Sequence, residues 1–178
     1  MTEFSNPAIQ VASTGDARFL PGLLNSAYRG ETSKQGWTTE ANLIGGTVRT
    51  DENELQKVIA TKGSLVLKYT SDEGEIVGCV NLQQHVDKVY LGMLSVSPHL
   101  QGGGIGKQLL KAAEEYAQQS KCTSIYMTVI SVRTELINWY ERYGYKDTGE
   151  RKAFIEDGKS GQHLRPLEFM VMEKIISA

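Results

Sequence analysis

The hydrophobic period of this chain changes at Ser97-Pro98, and that change restricts its architecture more than any other feature. Lys88 to Val96 reads as an extended segment. Beyond the proline, Ile105, Leu109, Ala112, Ala113, Tyr116 and Ala117 share one face of a long helix, with Lys111, Glu114, Glu115 and Gln118 outside. The connection is Gln101-Gly102-Gly103-Gly104-Ile105-Gly106-Lys107. A strand that turns through glycines into an amphipathic helix belongs in a layered α/β or α+β sandwich.

The flanking segments fit that class. Ile9 to Ala12 predicts a short strand, and Asp16 to Tyr28 a helix with Pro21 near its first turn. Arg29 to Thr50 is polar and irregular. Within it only Thr39 to Ile44 resembles a helix, with Thr38 as N-cap and Gly45-Gly46 as stop. Asp51 to Ala60 predicts a helix, and Ser64 to Tyr69, Glu75 to Gln84 and Lys88 to Val96 three antiparallel strands. Ser124 to Ile130 follows as a strand, Thr134 to Tyr143 as a helix, and Tyr145 to Ile155 with Leu167 to Ile176 as a closing strand pair.

At 178 residues and 40% hydrophobic content, residues 1–178 are expected to form a single domain. Nineteen lysines and arginines against 21 acidic residues leave no basic footprint, which disfavours nucleic acid as a partner. The start Met1-Thr2-Glu3-Phe4-Ser5 has no signal-peptide character, and no stretch approaches the ~20 apolar residues of a membrane span. A soluble, cytoplasmic protein is expected, with Cys79 and Cys122 as reduced thiols.

The glycine turn carries the chemistry. Glycines at 102, 103, 104 and 106 let a ligand approach the main chain, and the start of a helix presents unpaired N–H groups and the positive end of the macrodipole. A pyrophosphate suits such a place, with Lys107 adding a point charge. The turn is not a Walker A loop, because Gln108 follows Lys107. Nor is it a dinucleotide fingerprint, since antiparallel runs precede it.

Gln101-Gly102-Gly103-Gly104-Ile105-Gly106 resembles motif A of the GNAT superfamily of acetyl-CoA-dependent N-acetyltransferases, Arg/Gln-x-x-Gly-x-Gly/Ala between a strand and a helix. Arg133-Thr134-Glu135-Leu136-Ile137-Asn138-Trp139-Tyr140-Glu141-Arg142-Tyr143-Gly144-Tyr145 is similar to the family's motif B, Asn-x-x-Ala-x-x-Leu-Tyr-Glu-Lys-x-Gly-Phe. The likeness runs from about Val89 to Tyr145 and is topological before that. It implies a mixed, mostly antiparallel sheet of roughly six to seven strands flanked by about four helices. Two departures stand out: Gly103 falls where many members carry Lys or Arg, and Arg133 replaces the motif B asparagine, with the reach for a phosphate instead.

The resemblance further implies acetyl-CoA as co-substrate, no metal, and direct transfer to a primary amine of a small molecule or peptide. Cofactor contacts are then expected from Leu94, Val96, Gln101, Gly102, Gly103, Gly104, Ile105, Gly106, Lys107, Arg133 and Tyr140. The N–H of Leu94 becomes an oxyanion donor. Tyr140 matches the tyrosine that assists the departing thiolate, a proton transfer uphill by roughly 2 kcal/mol from reference pKa values. A lysine-like acceptor must shed a proton at a cost of roughly 4.6 kcal/mol at neutral pH. No carboxylate lies in Tyr90 to Val96, so Glu31, Glu40 and His85 are the candidate bases. The acceptor side is expected at Tyr28, Arg29, Glu31, Trp37, Thr38 and Arg49, where the arginines suit an acceptor carboxylate.

Two alternatives stay open from the residues: a GNAT-fold module that senses acetyl-CoA or binds a partner without turnover, and transfer of a longer acyl group. Homodimerisation is a family habit that the resemblance admits.

Overall fold

The alternating segments become one sheet in a computed structural model, which describes residues 2–158 and 161–176. Among these residues seven strands occur: β1 Ile9–Val11, β2 Ser64–Thr70, β3 Ile76–His85, β4 Lys88–Val96, β5 Ser124–Ile130, β6 Lys146–Ala153 and β7 Glu168–Ile175. Their spatial order is β1-β2-β3-β4-β5-β7-β6, and every neighbouring pair is antiparallel except β4 with β5. The helices are α1 Leu20–Tyr28, α2 Gly30–Ser33, α3 Glu52–Ala60, α4 Ile105–Gln119 and α5 Thr134–Arg142. The sandwich expected from the period change is therefore present.

Alternation along each strand feeds two layers. Val66 and Cys79 pack with Leu20 and Leu24 of α1 and Leu55 of α3. Their neighbours Leu67 and Val80 point to the opposite face, against Leu109 and Ala113 of α4 and Leu136 of α5. Burying each leucine contributes roughly 1.5–3 kcal/mol, so the apolar stripe of α4 fixes that helix on the sheet. Asp51 accepts the N–H of Glu54 and starts α3, a cap of about 1 kcal/mol.

Two expectations need correction. Asp16 to Tyr28 is not one helix: residues Thr14–Arg18 form a 3-10 turn, and α1 begins at Leu20 with Pro21 in its first turn. Asp16 explains the break, because its carboxylate accepts from the Ser13 N–H and from Lys68, which holds the first turn separately. Thr39 to Ile44 is a single turn rather than a helix, with Leu43 and Ile44 N–H both on the Glu40 carbonyl. Thr39 Oγ1, not Thr38, accepts the capping N–H of Ala41. A β-bridge from Ile44 to His163 ends the turn.

Two irregularities of β4 position the site. It pairs with β5 only from Lys88 to Tyr90, opposite Ser124 to Tyr126, and beyond Tyr90 the strands part. Against β3, Ser95 faces Cys79 and Gly92 faces Asn81, so Met93 and Leu94 together oppose Val80. That extra residue is a β-bulge, with Met93 at a left-handed φ of 57°.

Candidate active site

The parted strands leave main-chain groups of β4 without a strand partner. Ser97 N–H donates to Val77 O on β3, so by alternation the polar groups of Val96 and Leu94 face the gap. Side chains take the carbonyls: the Tyr28 hydroxyl donates to Leu94 O, and Gln101 Nε2 donates to Val96 O at 3.0 Å. By the same alternation the N–H of Val96 points into the gap.

Gln101 also locks the neighbouring loop. Its Oε1 accepts the N–H of Trp37 at 2.7 Å and of Thr38 at 3.3 Å, while its Nε2 reaches Thr38 Oγ1 at 2.7 Å. The glycines beyond it have a clear physical reason. Gly102 and Gly104 adopt φ of 87° and 89°, which a Cβ would oppose, and Gly104 stands at the N-cap of α4. A Cβ on Gly106 would lie 3.2 Å from the Trp139 ring, so this helix start packs tightly on α5.

The first bond within α4 runs from Gln108 N–H to Gly104 O at 3.0 Å. Among the described residues no side chain bonds the N–H groups of Ile105, Gly106 or Lys107. An uncapped helix start of this kind attracts an anion.

Two cavities meet at β4. The first runs along the glycine turn, lined by Val96, Gln101, Gly102, Gly104, Lys107 and Trp139 among others. The second, about 390 Å³, lies on the β5 and β7 side and includes Arg29, Glu40, Arg49, Arg133, Phe154 and Phe169. Tyr28, Leu94, Leu136 and Tyr140 line both, so the wall between the cavities is made of these side chains.

Tyr140 is 5% exposed. Burial first, then the phenols of Tyr28 and Tyr145, hold its hydroxyl well above the ordinary phenol range, against a downward pull from Arg133. It therefore stays a hydrogen-bond donor at any ordinary pH. The same shift makes outright release of its proton to a thiolate costlier than reference values suggest. Tyr28 is raised likewise by burial, with Arg49 and Arg133 pulling back.

Glu40 organises the second cavity. Its Oε1 accepts from Arg29 Nη1 and its Oε2 from Arg133 Nη1 at 3.3 Å, and all three side chains are nearly or fully buried. Burial pulls the Arg29 guanidinium below its ordinary value and Glu40 pushes it back, and an arginine remains a cation. Arg133 also donates to Thr38 O. Arg49 lies over the Tyr28 ring, 4.6 Å from its centroid.

The predicted residues thus divide. Leu94, Val96, Gln101, Gly102, Gly104, Ile105, Gly106, Lys107 and Tyr140 gather on the first cavity, while Gly103 sits in the turn without lining it. Arg133 departs from its expected reach for a phosphate, because Glu40 and the Thr38 carbonyl hold it on the second cavity. Trp37 lines the first cavity and not the second, 5.8 Å from Trp139. Glu31 lines neither cavity and pairs with Lys34 on the surface, and His85 lies against Tyr126 at another sheet end. Arg29, Arg49 and Glu40 do share the second cavity.

The sequence reading missed Glu54, Phe154 and Phe169 on the second cavity, and Asn25, whose amide holds the backbone at Arg49 and Thr50. The expected closing strand pair contains both phenylalanines, but nothing in its pattern singles them out. Nothing in the sequence marks Asn25. Among the described residues no group of three or more His, Cys, Asp or Glu side chains is placed to hold a metal, and no helix is long and apolar enough to cross a membrane.

Comparison with known proteins agrees with this geometry. The chain is 33% identical over 64 residues to spermine/spermidine N(1)-acetyltransferase of Bacillus subtilis, covering 35% of this chain and 42% of that protein. It is 28% identical over 101 residues to N-acetylaspartate synthetase of Danio rerio, covering 56% of this chain and 36% of that one. The match thus spans less than half the length of these curated relatives. In structure it resembles the ribosomal-protein-S18-alanine N-acetyltransferase of Escherichia coli, with a TM-score of 0.69 at 15% identity over 96% of this chain and 94% of that one, a likeness of fold. The pattern of the Acetyltransferase (GNAT) family matches residues 35–145, which takes in the glycine turn, the parted strands and α5. With motif, topology and profile in agreement, the chain belongs to the GNAT acetyltransferase family.

Proposed function

We propose that this protein transfers the acetyl group of acetyl-CoA to a primary amine by direct attack, with the thioester in the first cavity and the amine in the second. The observation that carries this reading is the shared wall: Tyr28, Leu94, Leu136 and Tyr140 border both spaces, so the two reactants meet at Leu94.

The residues present suit acetyl-CoA. The N–H groups of Ile105, Gly106 and Lys107 at the uncapped start of α4 receive the pyrophosphate, with the Lys107 ammonium beside it. The N–H groups on the gap side of β4 hold the pantetheine arm in the manner of an added strand. Acetyl-CoA supplies an activated acyl group. The chain's part is placement and charge: the Leu94 N–H donates to the carbonyl oxygen as negative charge builds there, a contribution of several kcal/mol in comparable sites. Tyr140 donates a hydrogen bond to the departing sulfur. Its raised pKa makes it a stabilising donor rather than a full proton source.

The amine arrives as an ammonium and must lose a proton. Glu40 is held between Arg29 and Arg133, so base catalysis there would break a buried ion pair. Glu54, on the same cavity and 3.6 Å from Lys57, is the carboxylate assigned to that task here. The curated relatives' names, a polyamine acetyltransferase and an N-acetylaspartate synthetase, support an amine acceptor.

Calorimetry with CoA and acetyl-CoA, followed by thiol release with a panel of amines, tests the reading. Tight CoA binding with no thiol release from any amine would favour a binding module instead. Faster release from longer acyl thioesters would move the assignment to another acyl donor.

A further inference from the structure

We propose that the acceptor carries a carboxylate beside its amine and that Arg49 binds it, so that the substrates are amino acids with an apolar body rather than polyamines. This deepens the acetyl-transfer reading and rests on it for the identity of the second cavity as the acceptor site.

The charges of that cavity are unequal. Arg29, Arg49 and Arg133 line it against Glu40 and Glu54. One carboxylate, Glu40, is shared between Arg29 and Arg133. Among the described residues no carboxylate pairs with Arg49. A polycation entering this space meets a surplus of positive charge, whereas a carboxylate relieves it.

Arg49 is also held in place. The Asn25 side chain, on α1, accepts the N–H of Arg49 at 2.5 Å and of Thr50 at 3.0 Å through Oδ1, and donates to Thr50 O at 3.1 Å through Nδ2. The Tyr28 ring supports the guanidinium from beneath. A planar fork fixed at both backbone and head is suited to a carboxylate, because less freedom is lost on binding.

The arrangement sets the amine's position as well. Tyr28 carries Arg49 on its face and bonds Leu94 O through its hydroxyl, so one ring separates the anion site from the reaction point. That spacing suits a carboxylate and an amine on one small molecule. Across the gap, Phe154 and Phe169 stack with centroids 4.2 Å apart and Met127 lies with them on the cavity wall, a surface for an apolar side chain.

The test measures binding of phenylalanine, methionine, their carboxamides and spermidine to the CoA-saturated protein by calorimetry, with thiol release measured in parallel from acetyl-CoA. The free acids are expected to bind roughly 10- to 100-fold tighter than the carboxamides, the range of a charge-assisted pair. Arg49→Gln should erase that ratio and Arg49→Lys should keep part of it, with CoA affinity, measured separately, reporting that both variants are folded. Equal binding of acid and amide, preference for spermidine, an unchanged ratio in Arg49→Gln, or no amine bound at all would each overturn the inference. Arg49-dependent binding of the acids without thiol release would keep the carboxylate site at Arg49 and overturn acetyl transfer instead.

Discussion

The Tyr28 hydroxyl donates to the carbonyl of Leu94, joining the last residue of α1 to the strand that bulges away from β3. The bond takes up a main-chain acceptor that the parted strands leave without a partner, and it fixes the wall between the cavities. Tyr28→Phe should leave that buried carbonyl unpaired, at about 1–3 kcal/mol of stability. Turnover should fall several-fold more than CoA affinity, as read from thermal unfolding beside steady-state kinetics. Unchanged unfolding and turnover would show that the bond holds nothing in place.

Tyr140→Phe should lower kcat roughly tenfold to a thousandfold with CoA affinity little changed. Because burial keeps this phenol protonated, activity should show no loss from its ionisation up to about pH 10, the ordinary phenol value. A pH–rate profile of the wild type that collapses below that point would contradict the assignment of Tyr140 as a protonated donor.

The acceptor's own proton gives a separate prediction. Glu54→Gln should depress kcat/KM roughly tenfold near pH 7 and progressively less toward pH 9, where more of an α-amine is already neutral. A pH-independent deficit would instead mark Glu54 as a binding group. No deficit at any pH would leave the proton to water.

Gly104→Ala places a Cβ at φ 89° where the helix start must turn, and it should weaken CoA binding at least tenfold while costing about 1–2 kcal/mol. Gln101→Ala should raise KM for acetyl-CoA by a comparable factor, because it frees both Val96 O and the loop at Trp37 and Thr38. Calorimetry and differential scanning separate the binding from the stability component.

Alkaline stability follows from the buried groups. Burial pushes the Cys79 thiol from 9.0 up to about 12 and raises Tyr28, Tyr140 and Tyr145. All are raised, so the unfolded chain releases these protons first. Their contribution is full below about pH 9 and declines as pH rises toward the folded-state values. Urea titrations across this range should show midpoints falling above about pH 9, and a flat profile would contradict burial of these groups.

Regular elements were legible because period alone determines them: β4 and β5 fall on the residues their patterns give, and α4 on its apolar stripe. The glycine turn was legible because its constraint is local, written in φ values that glycine adopts readily. The first helix was misread as continuous because Asp16 finds its second partner on Lys68, in a strand far along the chain. Arg133 was sent toward a phosphate for the same reason, since its partner Glu40 lies in a segment without period. Trp37 followed its neighbours to the acceptor side, whereas Gln101 holds its loop against the glycine turn. Contacts between distant segments leave no local trace.

The carboxylate of Glu40 stitches together the end of α1, the loop after α2 and the residue that opens α5. Lineages descended from such a scaffold would be expected to diversify at the cavity's periphery, around Arg49 and the aromatic pair, since altering the stitched centre would displace the helix that carries Tyr140. New substrates would then be acquired by rewriting the rim while the chemistry beneath is inherited unchanged.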